Sequence, residues 1–211
     1  MFGPPVAIFA NGETVSSSTI RRFLSPDALI IAADGGADLC HDIRISPHYL
    51  VGDFDSVDPE IKKQFGQSQI IERPSQDCTD LEKALQFSLE LNPKNITVFS
   101  ALGQRGDHTL GNLLILQRFE ANIPIQIVDN YGSLRLLKPG RHLLQGKKKQ
   151  IVSFISFGPV KNLRLEGFRY SLTKEELRDD FLGISNVYES ETCIISFDAG
   201  KIFFYELFTE G

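Results

Sequence analysis

Four short acidic motifs contain the residues best suited to chemistry in this chain. They are Asp34-Gly35-Gly36, Gly52-Asp53-Phe54-Asp55-Ser56, Asp77-Cys78-Thr79-Asp80 and Arg105-Gly106-Asp107-His108. Ionised carboxylates only accept hydrogen bonds, so several that converge repel one another unless a hard cation lies between them. Mg²⁺ takes oxygen ligands and bridges them to phosphate. Together the motifs predict a site for a divalent cation and a phosphate group.

The motif around Asp53 is the strongest candidate for cation ligands. Asp53 and Asp55 are two residues apart, so in an extended segment both side chains face the same way. A purely structural interpretation makes Asp58 the N-cap of a helix with Pro59 in its first position. That interpretation explains Asp58 but leaves Asp53 and Asp55 without a role.

Two other motifs have a structural interpretation beside the functional one. Asp34-Gly35-Gly36 can form a turn in which the aspartate caps the next helix. Thr79 and Glu82 match a capping box, with Asp80 as an acid in the first helical turn. Asp77 lies outside that box, so it stays a candidate for the site.

The fourth motif precedes a predicted helix, His108–Ala121, for which Asp107 is a good N-cap. His108 and Asn112 are four residues apart and share one helix face. Together with the guanidinium of Arg105, free backbone N–H groups at a helix N-terminus form a seat for phosphate. Capping and phosphate binding are both open for Asp107.

Short apolar runs alternate with helical patterns up to about residue 130. The predicted strands are Val6–Ala10, Leu29–Ala33, Tyr49–Val51, Gln69–Ile71, Ile96–Phe99 and Ile125–Val128. The predicted helices are Ser17–Leu24, Pro59–Phe65, Leu81–Leu91 and His108–Ala121. This alternation predicts a wound, mainly parallel sheet in an α/β domain. Three of the motifs follow strands, and ligands of such sheets bind at the carboxyl ends of the strands.

Strands dominate after Asn130. They are predicted at Ser133–Lys138, Gln150–Phe157, Leu163–Leu165, Thr192–Phe197 and Ile202–Leu207. A short helical or turn insertion is predicted near Thr173–Asp180. We therefore expect an α/β domain over residues 1–130, followed by an all-β domain of sandwich or jelly-roll type over residues 131–211.

Composition excludes several classes of function. The formal net charge of −5 and the pI near 5.4 argue against a nucleic-acid groove. The three cysteines are widely spaced and lack a C-x-x-C pair, which indicates a reducing compartment, with the cytoplasm as the expected location. No apolar stretch approaches the ~20 residues of a membrane span, and the first ten residues carry no basic leader. We therefore expect no membrane partner.

Taken in order, five motifs resemble those of the thiamine pyrophosphokinase family. They are Asn11-Gly12-Glu13, Ala33-Asp34-Gly35-Gly36-Ala37, Gly52-Asp53-Phe54-Asp55-Ser56, Gln76-Asp77-Cys78-Thr79-Asp80 and the segment from Gly103 to Asn112. The resemblance continues weakly through Gly167-Phe168-Arg169-Tyr170 and Ser185-Asn186. It covers nearly the whole chain.

The resemblance implies a homodimer that converts thiamine and ATP into thiamine diphosphate and AMP. An α/β domain would bind ATP and Mg²⁺, and thiamine would lie between it and the partner subunit's β domain. Asp53, Asp55, Asp77 and Asp107 would be catalytic, and these four with Asp34 would hold Mg²⁺. Tyr170, Ser185 and Asn186 would contact thiamine. The residues implied in binding ATP with its metal are Asn11, Asp34, Gly35, Gly36, Gln76, Thr79, Asp80, Arg105, His108 and Asn112.

The chain departs from the family pattern at three positions. The family often has lysine where Gln76 stands, a Gly-Gly pair where Gly103-Gln104 stands, and glycine at the position of Ser100. The chain has no tryptophan, so any stacking on the thiamine rings comes from Phe or Tyr.

Three alternatives are open at this point. The first is a pyrophosphokinase of another primary alcohol, such as a hydroxymethylpterin. The second is a haloacid-dehalogenase-like phosphatase, because Asp53-Phe54-Asp55 imitates its nucleophile pair. The third is a nucleotide- or thiamine-binding sensor without turnover, suggested by Gln76 and Gln104.

Overall fold

The computed structural model describes residues 2–53 and 65–209. The chain divides into two compact units, Met1–Asn130 and Tyr131–Gly211. The predicted helix Pro59–Phe65 lies outside the described residues except for Phe65, which is in a turn. No helix in the described ranges is long and apolar enough to cross a membrane.

The first unit alternates strands and helices. Its described elements are β1 (Val6–Phe9), α1 (Ser17–Phe23), β2 (Leu29–Ala33), α2 (Gly36–Asp42), β3 (Tyr49–Gly52), β4 (Gln69–Glu72), α3 (Asp80–Glu90), β5 (Ile96–Phe99), α4 (Gly106–Arg118) and β6 (Ile125–Val128). The strand order is β6-β5-β1-β2-β3-β4, and all neighbouring pairs are parallel. The predicted wound parallel sheet is confirmed.

Two adjacent inner strands, β1 and β5, are buried on both faces. Every residue of β1 and of β5 is buried, as expected for parallel strands that lie under covering layers. From β1 the chain builds outwards to β2 on one side, and it later returns to add β5 on the other. The order of the strands therefore reverses between β1 and β5, which is where ligands bind in sheets of this kind.

Helix α3 begins as the sequence predicts. The Thr79 hydroxyl oxygen accepts a hydrogen bond from the Glu82 backbone N–H at 3.3 Å, so Thr79 is the N-cap. The face of α3 that packs against β2 and β3 includes Leu81, Leu85 and Phe87. Helix α2 had no predicted bounds, and α4 begins at Gly106 rather than His108 and ends at Arg118 rather than Ala121.

The second unit is a sandwich of eight strands within its described residues. These are β7 (Gly132–Leu137), β8 (Gly140–Gln145), β9 (Ile151–Ser156), β10 (Val160–Glu166), β11 (Leu172–Leu177), β12 (Phe181–Val187), β13 (Thr192–Phe197) and β14 (Ile202–Leu207). They form two antiparallel sheets, β12-β9-β14-β7 and β11-β10-β13-β8. One apolar core draws on both sheets, with Phe154 and Phe204 stacked at 5.4 Å between ring centroids. The predicted all-β sandwich is confirmed.

The predicted helical or turn insertion at Thr173–Asp180 is wrong. Leu172–Leu177 is strand β11, paired with β10 so that Leu172 opposes Leu165 and Lys174 opposes Leu163. The Lys-Glu-Glu-Leu sequence favours a helix locally, but pairing with a neighbouring strand overrides that preference. Strands β8 and β12 were also not predicted.

The first prediction concerns the approach of α2 to β1. A Cβ atom on Gly36 would overlap the Phe9 carbonyl, whereas one on Gly111, within α4, would meet nothing within 4 Å. Gly36→Ala should therefore lower the stability by about 2 kcal/mol or more. Gly111→Ala should raise it by up to about 1 kcal/mol, because alanine is the better helix former.

Urea unfolding followed by far-UV circular dichroism tests this matched pair. Equal unfolding midpoints for Gly36→Ala and Gly111→Ala would contradict the close approach of α2 to β1.

Candidate functional site

A cavity of about 330 Å³ opens at the carboxyl ends of β1, β2 and β5, where the strand order reverses. Its walls come from the loops after these strands and from the first turns of α3 and α4. Nine of the residues predicted to bind ATP or metal line it: Asn11, Asp34, Gly35, Thr79, Asp80, Arg105, Asp107, His108 and Asn112. These residues come from separate motifs of the sequence, and the fold brings them to one edge of the sheet.

The loops after β1 and β5 are joined by backbone hydrogen bonds and form one wall of the cavity. The Gly12 N–H donates to the Ser100 carbonyl at 2.6 Å, and the Glu13 N–H donates to the Leu102 carbonyl at 2.8 Å. A Cβ atom on Gly12 would lie 2.5 Å from the Ser100 oxygen, so only glycine permits this approach.

Several loop residues at the cavity have left-handed backbone. The φ angle is 40° at Asp34, 57° at Ser100 and 55° at Gln104. Non-glycine residues adopt this region at a cost, and such conformations concentrate at functional sites. The strain therefore lies in the loops after β2 and β5, both of which contribute to the cavity wall.

Asp34 lies against the end of β3. A Cβ atom on Gly52 would lie 3.3 Å from both Cβ and Oδ1 of Asp34, so this carboxylate is adjacent to the strand end that carries Asp53. The alternative role of Asp34 as a helix cap is wrong, because the N-cap of α2 is Gly35 and forms no side-chain cap bond. The side-chain amide of Asn11 packs against Gly35, in the space that a Cβ atom would occupy.

Arg105 and Asp107 form a bidentate ion pair at the start of α4. Arg105 Nε donates to Asp107 Oδ1 at 3.1 Å, and Nη2 donates to Oδ2 at 2.6 Å. The predicted N-cap role of Asp107 is wrong, because α4 starts earlier and its N-cap is Arg105. The hydrogen bond from Arg105 lowers the pKa of Asp107 to about 2, and the same carboxylate raises the pKa of Arg105.

Two side chains of α4 hold the β5 loop in place. Asn112 Nδ2 donates to the Ala101 carbonyl at 2.7 Å, and the Gly103 N–H donates to Thr109 Oγ1 at 3.0 Å. Asn112 thus positions the wall of the cavity in addition to lining it. His108 is exposed and also lines the cavity.

Lys83 is a residue that the sequence analysis missed. It is only 3% exposed, and its Nζ lies 3.4 Å from Asp53 Oδ2 and 3.3 Å from Asp80 Oδ1. Desolvation alone would lower the pKa of Lys83, but the hydrogen bonds and charges of Asp80 and Asp53 outweigh it, so that the pKa is raised. Gln76 Nε2 also contacts Asp53 Oδ2, at 3.2 Å.

A signal for Lys83 was present in the sequence. It lies among the apolar residues that form the buried face of α3, where a lysine requires a charged partner. The capping box accounts for Thr79, Asp80 and Glu82 but not for Lys83.

Other predicted residues lie elsewhere or are not described. Asp77 is exposed, does not line the cavity, and its backbone N–H donates to Ser75 Oγ at 3.2 Å. Gly36 packs on β1 instead of lining the cavity. Asp55 lies outside the described residues. Within residues 2–53 and 65–209, no three His, Cys, Asp or Glu side chains are grouped closely enough to hold a metal ion.

The predicted thiamine contacts in the second unit differ in character. Asn186 is buried, accepts from the Tyr170 N–H at 3.0 Å and donates to the Tyr170 carbonyl at 2.9 Å. Its amide therefore fixes the Tyr170 backbone, while the Tyr170 side chain is 63% exposed. Ser185 is exposed at an irregularity of β12, with φ of 59°.

The fold and cavity define a protein of two units, an α/β unit with a cavity at the carboxyl ends of its strands and an all-β unit. Residues 20–127 match the family model of the thiamin pyrophosphokinase catalytic domain. Residues 141–202 match the model of the thiamin pyrophosphokinase vitamin B1 binding domain. The chain belongs to the thiamine pyrophosphokinase family, and the resemblance of its motifs to that family is confirmed.

Similar proteins come from bacteria and plants. The chain is 30% identical over 173 residues to thiamine pyrophosphokinase of Bacillus subtilis, covering 79% of this chain and 81% of the relative. It is 29% identical over 204 residues to thiamine pyrophosphokinase 1 of Oryza sativa subsp. japonica, covering 82% and 77%.

Solved structures share the fold over nearly the whole chain. The crystal structure of thiamine pyrophosphokinase from Bacillus subtilis has a TM-score of 0.85 at 27% identity, covering 98% of this chain and 100% of that one. The crystal structure of thiamin pyrophosphokinase from Geobacillus thermodenitrificans has a TM-score of 0.83 at 25% identity, covering 98% and 99%.

The Arg105–Asp107 pair generates the second prediction. Because the pKa of Asp107 is about 2 instead of the ordinary 3.8, the folded protein binds this proton less tightly than the unfolded chain. The pair therefore favours the folded state above pH 3.8, and its contribution disappears as the pH falls through about 2. Arg105→Gln should return the Asp107 pKa towards 3.8.

Carboxyl titration by ¹³C NMR measures the Asp107 midpoint directly. The control is Arg118→Gln, which removes a different ion pair of α4, with Glu82 at 2.7 Å, and should leave the Asp107 midpoint near 2. A midpoint that stays near 2 in Arg105→Gln would show that the guanidinium is not the cause.

Proposed function

We propose that this chain transfers the pyrophosphoryl group of ATP to the hydroxyethyl oxygen of thiamine, producing thiamine diphosphate and AMP. The observation that carries the proposal is the cavity where the strand order reverses, at which carboxylates and two helix N-termini meet. The buried lysine Lys83 contacts one of these carboxylates, Asp80. Such a site suits a polyphosphate and its cation. Membership of the family supports the choice of thiamine as acceptor.

The cavity offers distinct contacts to the phosphates. The first turn of α4 presents backbone N–H groups, and the Arg105 side chain beside it is 67% exposed. Arg105 suits phosphate oxygens because its donors form a planar fork. While Asp107 holds it, the guanidinium is kept at the mouth of the cavity. Asp107 would therefore act by positioning Arg105.

The acidic side chains fit the Mg²⁺ that such a reaction uses. Asp53 and Asp80 already converge on one cationic group, the ammonium of Lys83, and Asp34 is adjacent to the end of β3. We propose Asp53 and Asp80 as Mg²⁺ ligands, together with Asp55, because Mg²⁺ needs few carboxylates when phosphate oxygens and waters complete its coordination. When bound, Mg²⁺ neutralises charge on the phosphates during transfer. Asp77, which is exposed and away from the cavity, is a weaker candidate than Asp80.

The transfer needs little covalent chemistry from the protein. The hydroxyethyl oxygen forms a bond to the β-phosphorus, the bond from that phosphorus to the bridging oxygen breaks, and AMP leaves with this oxygen. A carboxylate takes the hydroxyl proton. Asp107 is a poor base, because Arg105 holds its pKa at about 2. Positioning and charge neutralisation supply the remainder.

The second unit supplies the thiamine contacts in this proposal. Tyr170 offers an exposed aromatic ring, and Ser185 offers an exposed hydroxyl on β12. Asn186 acts indirectly, because both functions of its amide are bonded to the Tyr170 backbone. Asn186 is therefore a positioning residue for Tyr170.

Each unit exposes aliphatic side chains that a homodimer would cover. Leu110 and Leu114, one turn apart on α4, are 59% and 52% exposed. Leu182 and Ile184 of β12 are 65% and 61% exposed. Apolar groups of this kind support a homodimer, which buries them against a second copy.

The three cysteines support a reducing location, and we propose the cytoplasm. Cys40, Cys78 and Cys193 are all free thiols. Burial raises the pKa of Cys40 to about 12, so this thiol is unreactive.

The third prediction is the reaction itself. Purified protein incubated with ATP, Mg²⁺ and thiamine should release AMP and thiamine diphosphate in equal amounts, with none when any component is omitted. Chromatography resolves the nucleotides and the thiamine species. ADP with thiamine monophosphate would mean a simple kinase, and turnover only with another alcohol, such as a hydroxymethylpterin, would overturn thiamine as the substrate. No turnover despite binding of ATP and thiamine would favour a sensor.

The fourth prediction separates two neighbouring residues of β12. Ser185→Ala should raise the KM for thiamine by about tenfold, the usual effect of losing a hydrogen bond to a ligand, and leave the unfolding midpoint unchanged. Asn186→Ala should also lower the unfolding midpoint, because it leaves two partly buried backbone groups of Tyr170 without this partner.

Steady-state kinetics and thermal unfolding of both variants test this division. An unchanged KM in Ser185→Ala would remove that hydroxyl from the site, and full stability in Asn186→Ala would contradict the positioning role.

A further inference from the structure

Lys83 is a buried cation that the proposed mechanism does not use. Its side chain is 4% exposed, and Nζ lies 3.4 Å from Asp53 Oδ2 and 3.3 Å from Asp80 Oδ1. The carboxylates come from different elements, since Asp53 follows β3 and Asp80 opens α3. One ammonium group thus joins two carboxylates that are 27 positions apart in the chain.

A lysine in this position keeps its charge. Burying an ammonium group is costly unless it is paired, and the carboxylates of Asp53 and Asp80, at 3.4 Å and 3.3 Å from Nζ, provide that pairing. Without the ammonium, the two carboxylates would repel each other. The group therefore already contains a cation before any metal or nucleotide binds.

We propose that Lys83 occupies the place of a metal ion in the nucleotide-free protein, so that a divalent cation binds well only together with the nucleotide. The inference rests on the proposed function, because the cation concerned is the one that accompanies ATP. Two carboxylates and one ammonium carry a net charge of −1. A divalent cation placed beside these two carboxylates without a nucleotide would also be repelled by the ammonium at close range. The phosphates of ATP supply the negative charge that permits both cations to be present.

A purely structural role for Lys83 makes a different prediction. If the ammonium only fastened α3 to the end of β3, its removal would loosen the carboxylates and weaken metal binding. If it holds the place of a metal, its removal leaves a net charge of −2, and metal binding becomes stronger. The sign of the change distinguishes the two roles.

The fifth prediction is therefore measured as Mn²⁺ binding without nucleotide, from the electron paramagnetic resonance signal of free Mn²⁺. Lys83→Met should bind Mn²⁺ about tenfold or more tightly than the unmodified protein, because a neighbouring positive charge is removed. Lys83→Arg retains the charge and should bind as weakly as the unmodified protein. Equal or weaker Mn²⁺ binding by Lys83→Met would overturn the proposal.

The matched control is Lys94→Met. Lys94 pairs with Asp27 at 3.3 Å, so this variant also removes a lysine from an ion pair. Both side chains are exposed, and they precede β5 and β2, whereas the cavity lies at the carboxyl ends of these strands. Lys94→Met should leave Mn²⁺ binding unchanged. A gain equal to that of Lys83→Met would show that only the overall charge matters, which would overturn the proposal.

A second variant covers the case in which Lys83→Met does not fold. Lys83→Gln is neutral but can still donate to both carboxylates, and it should show the same gain in Mn²⁺ affinity. Circular dichroism of each variant verifies its folding. No gain in a folded Lys83→Gln protein would equally overturn the proposal.

Adding α,β-methylene ATP, in which the bond to be broken is not cleaved, tests the second half of the inference. The nucleotide should increase the Mn²⁺ affinity of the unmodified protein by a large factor. The corresponding factor for Lys83→Met should be smaller by about tenfold or more, because that variant has no ammonium charge for the phosphates to neutralise. The same tightening in both proteins would overturn the coupling. These measurements require neither thiamine nor turnover, so their failure is distinct from failure of the product assay.

Discussion

Negative charges gathered at one end of a parallel sheet repel one another, and the site of this protein depends on how that repulsion is offset. The strand order brings the ends of β2 and β3 together, and with them Asp34 and Asp53. Helix α3 adds Asp80 at the same edge. The ammonium of Lys83 lies between two of these carboxylates, and two helix N-termini add partial positive charge. The site is therefore held together by the electrostatics that also suit it to a polyphosphate.

Close backbone approach is the second condition for this cavity. Gly12 and Gly36 allow neighbouring segments to meet where a Cβ atom would overlap a carbonyl oxygen. Ser100 and Gln104, by contrast, take left-handed φ angles at positions where the family often has glycine. The chain therefore retains the loop shape at a cost of about 1 kcal/mol per residue. Part of this cost is offset at Ser100, whose Oγ accepts from the Val15 N–H at 3.3 Å.

The sequence predicted what depends on periodicity and missed what depends on contacts between distant segments. The parallel sheet follows from short apolar runs, and the position of the cavity follows from the acidic residues at their ends. Strand β11 was missed because its local preference is helical and only pairing with β10 makes it extended. The structural role of Asn186 was missed because its partner, the backbone of Tyr170, is 16 residues away. No local pattern carries such information.

Asp80 shows why a complete structural explanation of a residue does not exclude a function. As an acid in the first turn of α3 it stabilises the helix through the partial positive charge of the N-terminus. The same turn faces the cavity, so the same carboxylate lines it and contacts Lys83. Both roles need a negative charge at one point, and therefore they do not compete. At a helix that begins beside a ligand site, capping residues and binding residues are drawn from the same few positions. Contact with a buried charged residue, such as that of Asp80 with Lys83, distinguishes a candidate binding residue from a residue that only caps the helix.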